Sequence, residues 1–112
     1  MGGATSRRKG NVAELAVVHA LQRAGWQAIT SRAALGGTRK GADIVTDFPM
    51  VVEVKNEKSM RLADWWKQAV EQAGDDLPVV VHKRRGFAQA EDWWVTMNLA
   101  TLLALVGPPD DA

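Results

Sequence analysis

The centre of this 112-residue chain reads Gly41-Ala-Asp-Ile-Val-Thr-Asp-Phe-Pro-Met-Val-Val-Glu-Val-Lys-Asn-Glu57. Within it, residues 43–46 and 50–55 are runs of β-branched and apolar residues, and such runs are typical of strands. The connection between them, residues 47–49, has the length of a hairpin loop and contains a proline. We therefore expect two short strands joined by a turn, and the rest of the chain is interpreted around them.

Charged side chains interrupt the apolar pattern of these strands. Glu53 and Lys55 lie two residues apart and so share one face of the second strand. If the two strands pair antiparallel, Asp43 lies opposite or diagonal to Glu53, within about 5–8 Å on that face. Buried charges are costly without partners, and carboxylate oxygens suit Mg²⁺ or Mn²⁺, which in turn bind phosphate. The alternative is a structural salt bridge between Glu53 and Lys55 at a sheet edge.

The composition predicts one ordinary globular domain with a single modest core, because 46% of the residues are hydrophobic and 24% are charged. The absence of cysteine excludes disulfides and thiolate zinc sites, and two histidines are too few for most histidine-based metal clusters. No apolar run approaches the roughly 20 residues of a membrane span, and there is no secretory signal pattern. We therefore expect an intracellular, cytoplasmic protein without membrane association.

Basic residues form three clusters in a chain whose net charge is only +1. The clusters are Arg7, Arg8 and Lys9; Arg32, Arg39 and Lys40; and Lys83, Arg84 and Arg85. Each falls in a predicted terminus or loop, and acids that bind a metal ion would leave the protein more positive than the sequence count suggests. The distribution favours a polyanionic partner such as nucleic acid. Any single cluster is explained equally well as a loop that aids solubility.

The first helix is predicted from about Arg8 to Ala24, because this segment is rich in helix formers and Gly25 follows it. Glu14 lies on the apolar side of this helix, since its neighbours at i+3, i+4 and i+7 are all apolar. An acid that points into the core needs a partner from elsewhere in the fold. The alternative is an acid at the edge of a shallow face that reaches water.

The remaining sequence predicts a further series of elements. They are a strand at 26–32, a Gly-rich basic loop at 33–41, a helix at 61–73 ending at Gly74, a buried strand at 78–83, a strand at 92–97 and a short apolar helix capped by Asn98. The Gly-rich loop lacks a Gly-Lys-Ser/Thr ending and a following helix, so no nucleotide cofactor is predicted. The tryptophans of the second helix are core residues or, at its margin, stack on bases.

With these elements in this order, the chain resembles the PD-(D/E)XK nuclease superfamily, and within it the small Holliday-junction resolvase-like endonucleases of archaea and phages. The resemblance extends from Arg8 to about Val106. Its motifs are Lys9-Gly10 leading into Glu14, then Gly41-Ala42-Asp43, then Glu53-Val54-Lys55, and more weakly residues 79–83. Ala42 stands where a proline often precedes the aspartate. The resemblance implies an α/β (α+β) fold: a restriction-endonuclease-like αβββαβ core, with a mixed central sheet flanked by helices, plus an added strand and a C-terminal helix.

The same resemblance implies a metal-dependent, structure-specific DNA endonuclease that resolves four-way (Holliday) junctions in recombination and repair. Asp43 and Glu53 would hold Mg²⁺, with Mn²⁺ as a substitute, and Glu14 would complete the metal site or orient a water ligand. Lys55 would position or help deprotonate the attacking water, or stabilise the developing phosphorane. Gln68 would support the site, and the three basic clusters would grip DNA phosphates without reading sequence.

Enzymes of this kind act as two-fold dimers, so a homodimer in a bacterial, archaeal or phage-infected host cell is expected. The apolar C-terminal helix would supply a dimer surface or belong to the core. Two other interpretations stay open: a restriction-type or nicking nuclease with the same site, and a non-catalytic DNA-binding module, against which the intact set of charged residues argues. The expected boundaries are a disordered basic tail at 1–7, one nuclease domain at 8–107 and a C-terminal tail at 108–112.

Overall fold

The computed structural model describes residues 2–34 and 43–110, with side chains from residue 8 onward. The helices and strands are α1 (Gly2–Arg23), β1 (Ala28–Thr30), β2 (Ile44–Thr46), β3 (Val51–Lys55), α2 (Leu62–Ala73), β4 (Pro78–His82), β5 (Trp94–Thr96) and α3 (Leu99–Val106), with one turn of 3-10 helix at Ala90–Asp92 between β4 and β5. The predicted α+β class and the predicted order of the elements are confirmed.

The strands form two sheets. β1 and β2 make an antiparallel pair, while β3, β4 and β5 form a mixed sheet in that order, with β3 parallel and β5 antiparallel to β4. The predicted antiparallel hairpin between residues 43–46 and 50–55 is therefore wrong. The apolar strand β4 pairs with β3 instead, after the crossover through α2.

The two long helices lie on opposite faces of the mixed sheet. On one face, Val17 of α1 belongs to the larger buried cluster together with Val52 and Val54 of β3. On the other face, Trp65 of α2 packs against Val80 of β4. Because side chains of a strand alternate, Glu53 and Lys55 of β3 point toward α2.

Helix α1 begins at Gly2, so residues 2–7, which were predicted to be a disordered tail, form its first turns. Extending an existing helix needs no new nucleation, and the residues that precede Arg8 include an alanine and an arginine, both good helix formers. At the other end, Gly25 has φ 103°, a conformation that ends the helix and suits glycine. The end of the domain at residue 107 and the start of a C-terminal tail at residue 108 stay predictions.

Most other predicted boundaries lie within a few residues of those found. Helix α2 ends before Gly74 as predicted, while β5 is shorter than predicted because the 3-10 turn occupies its first residues. Helix α3 begins after Asn98, whose Oδ1 accepts hydrogen bonds from the N–H of Thr101 at 2.9 Å and from its hydroxyl at 2.7 Å. Among the described residues, no helix combines the length and the apolar character needed to cross a membrane.

Candidate active site

Asp43 directly precedes β2 and reaches the open edge of β3. Its Oδ2 accepts a hydrogen bond from the backbone N–H of Val54 at 2.8 Å. On the other edge of β3, the N–H of Val51 donates to the Leu77 carbonyl at the start of β4. Since alternate residues of a parallel strand donate to the same neighbour, Val54 turns its N–H away from β4. The carboxylate thus takes the place of a backbone acceptor, and it holds Asp43 at β3 although β2 and β3 do not pair.

Glu53 and Lys55 lie on the α2 side of β3. Glu53 is 3% exposed, and the Lys55 Nζ is 3.3 Å from its Oε2. The same Nζ donates a hydrogen bond to Oε1 of Gln68, on α2, at 2.7 Å. Oε1 of Glu53 is buried and has no hydrogen-bond partner among the described residues. The structure therefore gathers the predicted acid, lysine and glutamine, and leaves one buried carboxylate oxygen free.

Glu14 points from α1 toward Asp43, as its position on the apolar side of the helix predicted. Burial, together with the charge of Asp43, raises the pKa of Glu14 to about 7. Glu14 therefore keeps its proton up to about neutral pH.

Burial also raises the pKa of the other two carboxyl groups. The pKa of Glu53 rises to about 7, mainly by burial and then by the charge of Asp43, although Lys55 opposes the shift. Burial raises the pKa of Asp43 as well, against the opposing effects of the Val54 N–H and the Lys55 charge. A raised pKa means that each of the three neighbouring carboxyl groups resists ionisation. A bound cation would stabilise their ionised forms.

The ligand geometry of a metal centre is only partly present. In the described ranges 8–34 and 43–110, no group of three or more His, Asp or Glu side chains is arranged to hold one metal ion. The predicted ligands Asp43, Glu53 and Glu14 are thus neighbours without forming a complete three-ligand centre. The donor set nevertheless fits a hard divalent cation, because Glu53 Oε1 has an unused lone pair and carboxylate oxygens are the ligands that Mg²⁺ prefers.

Two of the predicted basic clusters meet beside Lys55. A concave surface of about 480 Å³ is lined in part by Lys9, Lys55 and Lys58. An adjoining depression of about 400 Å³ shares Lys9 and Lys58 and adds Lys83 and Arg85. Both concavities are also lined by one acid, Glu57, which forms an ion pair with Arg61 at 2.7 Å. We call this combined surface the basic groove. Its cations come from the start of α1, from the segment after β3 and from the segment after β4, so the fold unites residues that are far apart in sequence.

The other predicted DNA-binding residues have different positions. Arg8 and Arg32 are exposed, and the charge of Arg32 lowers the pKa of Glu14, against the larger effect of burial. Arg84 lies over the rings of two aromatic side chains and is only partly accessible. The side chain of Arg7, and Arg39 and Lys40 as whole residues, lie outside the described residues.

Sequence reasoning did not single out Lys58, and it left the charge of His82 open. Lys58 follows Lys55 of the Glu53-Val54-Lys55 motif by three residues, and this closeness in sequence was the signal that could have indicated it. His82 adjoins a basic cluster in sequence, yet it is 5% exposed and its Nε2 lies 2.8 Å from the Thr96 hydroxyl. Burial lowers the pKa of His82, so this residue adds no positive charge at neutral pH.

The site thus contains an acid from the first helix, an aspartate before the second strand and a Glu-Val-Lys strand, which are the motifs that resemble those of PD-(D/E)XK nucleases. Membership of that superfamily stays a prediction. Comparison of the chain with protein-family models, with curated proteins and with solved structures finds no match.

Proposed function

We propose that this protein is a Mg²⁺-dependent endonuclease that hydrolyses phosphodiester bonds in branched DNA, with four-way junctions as its substrate. The observation that carries the proposal is the buried Glu53 carboxylate, which has one oxygen without a hydrogen-bond partner among the described residues and lies beside Lys55, a residue that lines the basic groove. A structural salt bridge would account for the Glu53–Lys55 contact. It would not account for Asp43, which the chain brings to the same strand, or for the raised pKa of all three carboxyl groups.

In this mechanism Asp43 and Glu53 would hold the cation, and Glu14 would hold a water beside it. A bound Mg²⁺ would lower the pKa of a water ligand and neutralise charge on the phosphate in the transition state. Lys55 has three N–H donors; Gln68 and Glu53 lie 2.7 Å and 3.3 Å from its Nζ, while Glu57 Oε2 lies at 3.9 Å, beyond hydrogen-bond distance. The third donor would therefore serve the attacking water or a phosphate oxygen. Gln68 acts as a positioning residue that fixes Lys55.

The basic groove would bind the DNA backbone on both sides of the scissile phosphate. Its lysines and arginine would contact backbone phosphates, and such contacts carry no sequence information, which favours recognition of shape over sequence. Loss of the groove cations would weaken binding and make it less sensitive to salt. This arrangement supports a structure-selective enzyme over a restriction-type nuclease.

The substrate proposal is tested by cleavage of a labelled four-way junction beside linear duplex, single strand and flap DNA. We expect paired symmetric nicks in the junction with Mg²⁺ or Mn²⁺, and at least about a 1,000-fold lower rate in EDTA, because the metal supplies several kcal/mol of transition-state stabilisation. Equal cleavage of linear duplex would support the metal site but refute the junction as the specific substrate, and it would favour the restriction-type nuclease. Binding of DNA without any cleavage would favour the non-catalytic module.

A homodimer is part of the proposal, and α3 is its expected interface. Thr101 is the buried residue of this helix, whereas Leu99 is 68% and Val106 is 72% exposed, and three further leucines are exposed as well. An uncovered apolar helix is typical of a protein interface. Two active sites related by a two-fold axis also match a substrate in which two strands are cut.

We expect sedimentation equilibrium to give a dimer for the wild type and a monomer for Leu103→Glu, because a charge buried in an apolar interface is strongly unfavourable. Leu103 is 60% exposed in the single chain, so the substitution should leave the fold of each subunit intact. The matched control is Val12→Glu, which places the same charge on an apolar residue of α1 that is 58% exposed. A wild type that stays monomeric at high micromolar concentration would refute the interface.

A further inference from the structure

Lys55, His82 and Trp94 form one row across the mixed sheet. Lys55 is opposite His82 in the β3–β4 pair, and His82 is opposite Trp94 in the β4–β5 pair. Residues in register on neighbouring strands direct their side chains to the same face, and the strands are about 4.8 Å apart. The backbone positions of Lys55 and Trp94 are therefore about 10 Å apart, with both side chains on the face that carries α2.

A cavity of about 200 Å³ extends along this row from Lys55 to Trp94. His82 and Trp65 form its buried part, and their ring centroids are 5.3 Å apart. Lys83 and Arg85 also line the cavity and are exposed to solvent. The cavity thus combines an aromatic floor with a cationic rim, and it shares Lys83 and Arg85 with the basic groove.

Trp94 is held in place by a cation over its ring and is only partly covered. Trp94 is 49% exposed, and the guanidinium carbon of Arg84 lies 4.2 Å from the centroid of its ring. The same guanidinium is 3.8 Å from the centroid of Phe87, so cation–π contacts with two rings fix its position. An oriented, half-exposed tryptophan contributes little to the core, whereas it offers an aromatic surface on which a base can stack.

We infer that this cavity binds one unpaired base of the DNA strand, stacked on Trp94. The placement of that base near the cut rests on the proposed active site at Lys55, but the stacking itself does not require cleavage. A separation of about 10 Å corresponds to about three stacked nucleotides at 3.4 Å each, and to fewer in an unstacked strand. A perfectly paired duplex offers no free base, so the cavity selects DNA with an unpaired nucleotide close to the scissile phosphate, which a four-way junction supplies where a base pair opens at its crossover.

The test is equilibrium binding in EDTA, where no cleavage occurs, of labelled single strand, bulged duplex and perfect duplex to Trp94→Ala. Stacking is worth about 1–3 kcal/mol per base, so binding of the single strand and of the bulged duplex should weaken by about 5–150-fold. Binding of the perfect duplex should change by less than about twofold, because the basic groove supplies that affinity. Trp94→Phe should retain most of the selective affinity, since it preserves a ring at this position.

Trp26→Ala is the matched control, because Trp26 is also partly exposed, at 37%, and contacts Phe48 rather than a cation. This control should bind all three DNAs as the wild type does. An equal loss for all three DNAs in Trp94→Ala, or no loss, would overturn the inference. Thermal unfolding checks that Trp94→Ala folds, and the base-stacking comparison passes to Trp94→Leu if it does not.

The outcomes also separate this inference from the proposed nuclease function. A selective loss in Trp94→Ala, in a protein that cleaves none of the DNAs with Mg²⁺, would support the stacking cavity and refute the nuclease. Metal-dependent junction cleavage by the wild type, together with unchanged binding by Trp94→Ala, would support the nuclease and refute the stacking cavity.

Discussion

Asp43→Asn is expected to lower Mg²⁺-dependent cleavage of a four-way junction by about 1,000-fold or more, while junction binding in EDTA stays within about threefold of the wild type. Asparagine removes the negative charge that would hold the cation, and metal-ion catalysis supplies several kcal/mol of the barrier reduction. The asparagine carbonyl can still accept the hydrogen bond that the Val54 N–H donates to Asp43 at 2.8 Å. Single-turnover rates at saturating protein measure the chemical step without a contribution from binding.

Asp47→Asn is the matched control for this substitution. Asp47 also accepts a backbone N–H, that of Gln27, at 2.9 Å, but it is exposed and lies in the turn after β2. Its variant should cleave at the wild-type rate. Asp43→Ala is less informative, because it leaves a buried N–H without an acceptor, at a cost of about 1–3 kcal/mol. A rate for Asp43→Asn within about tenfold of the wild type would remove Asp43 from the catalytic machinery.

The order of the elements could be predicted because local signals specify it. Asn98 and Gly74 mark helix ends through side-chain capping and glycine conformation, and both mark them in the structure. The alternation in β3 predicted that Val52 and Val54 face the side opposite to the charged residues, and these two valines do lie in the core cluster that contains Val17 of α1. These features depend on residues that are close in sequence.

Strand pairing could not be predicted in the same way, because it depends on which distant segments compete for an edge. Strand β4 is buried along most of its length and pairs with β3, so β2 pairs with β1. Asp43 nevertheless reaches β3, through its side chain rather than through a hairpin ladder. Asp43 and Glu53 are therefore neighbours, although the hairpin from which their closeness was predicted does not form.

The surroundings of the site were the least predictable part. The meeting of Lys9 with Lys83 and Arg85 depends on how α1 and β4 flank β3, and no local pattern encodes it. The sequence also left open whether the tryptophans of α2 belong to the core or stack on bases. In the structure Trp65 is buried and Trp66 is partly buried, whereas Trp94 of β5, which the sequence did not single out, is half exposed. Such differences arise from packing across the sheet, which periodicity alone does not report.

The contact between Lys55 and Glu53 predicts a second large effect, on stability in the absence of metal. Glu53 has a folded pKa of about 7 against an ordinary value of 4.5, so the folded state binds more protons than the unfolded state between these pH values. Stability therefore falls as pH rises through this window. Lys55 lowers the pKa of Glu53, and its removal should raise that pKa further and make the loss of stability at high pH larger.

We expect Lys55→Met in EDTA to be about 2–4 kcal/mol less stable than the wild type at pH 8, where a buried carboxylate would lack its partner, and nearly as stable at pH 5, where Glu53 is protonated. Urea unfolding of both proteins at the two pH values measures the difference, and the comparison cancels the opposing contribution of His82, whose pKa burial lowers. Adding Glu53→Gln should restore most of the lost stability at pH 8, because the uncompensated charge is then absent. A deficit that is the same at both pH values, or that persists in the double variant, would mean that Lys55 contributes through the packing of its side chain and its bond to Gln68, and not through the charge of Glu53.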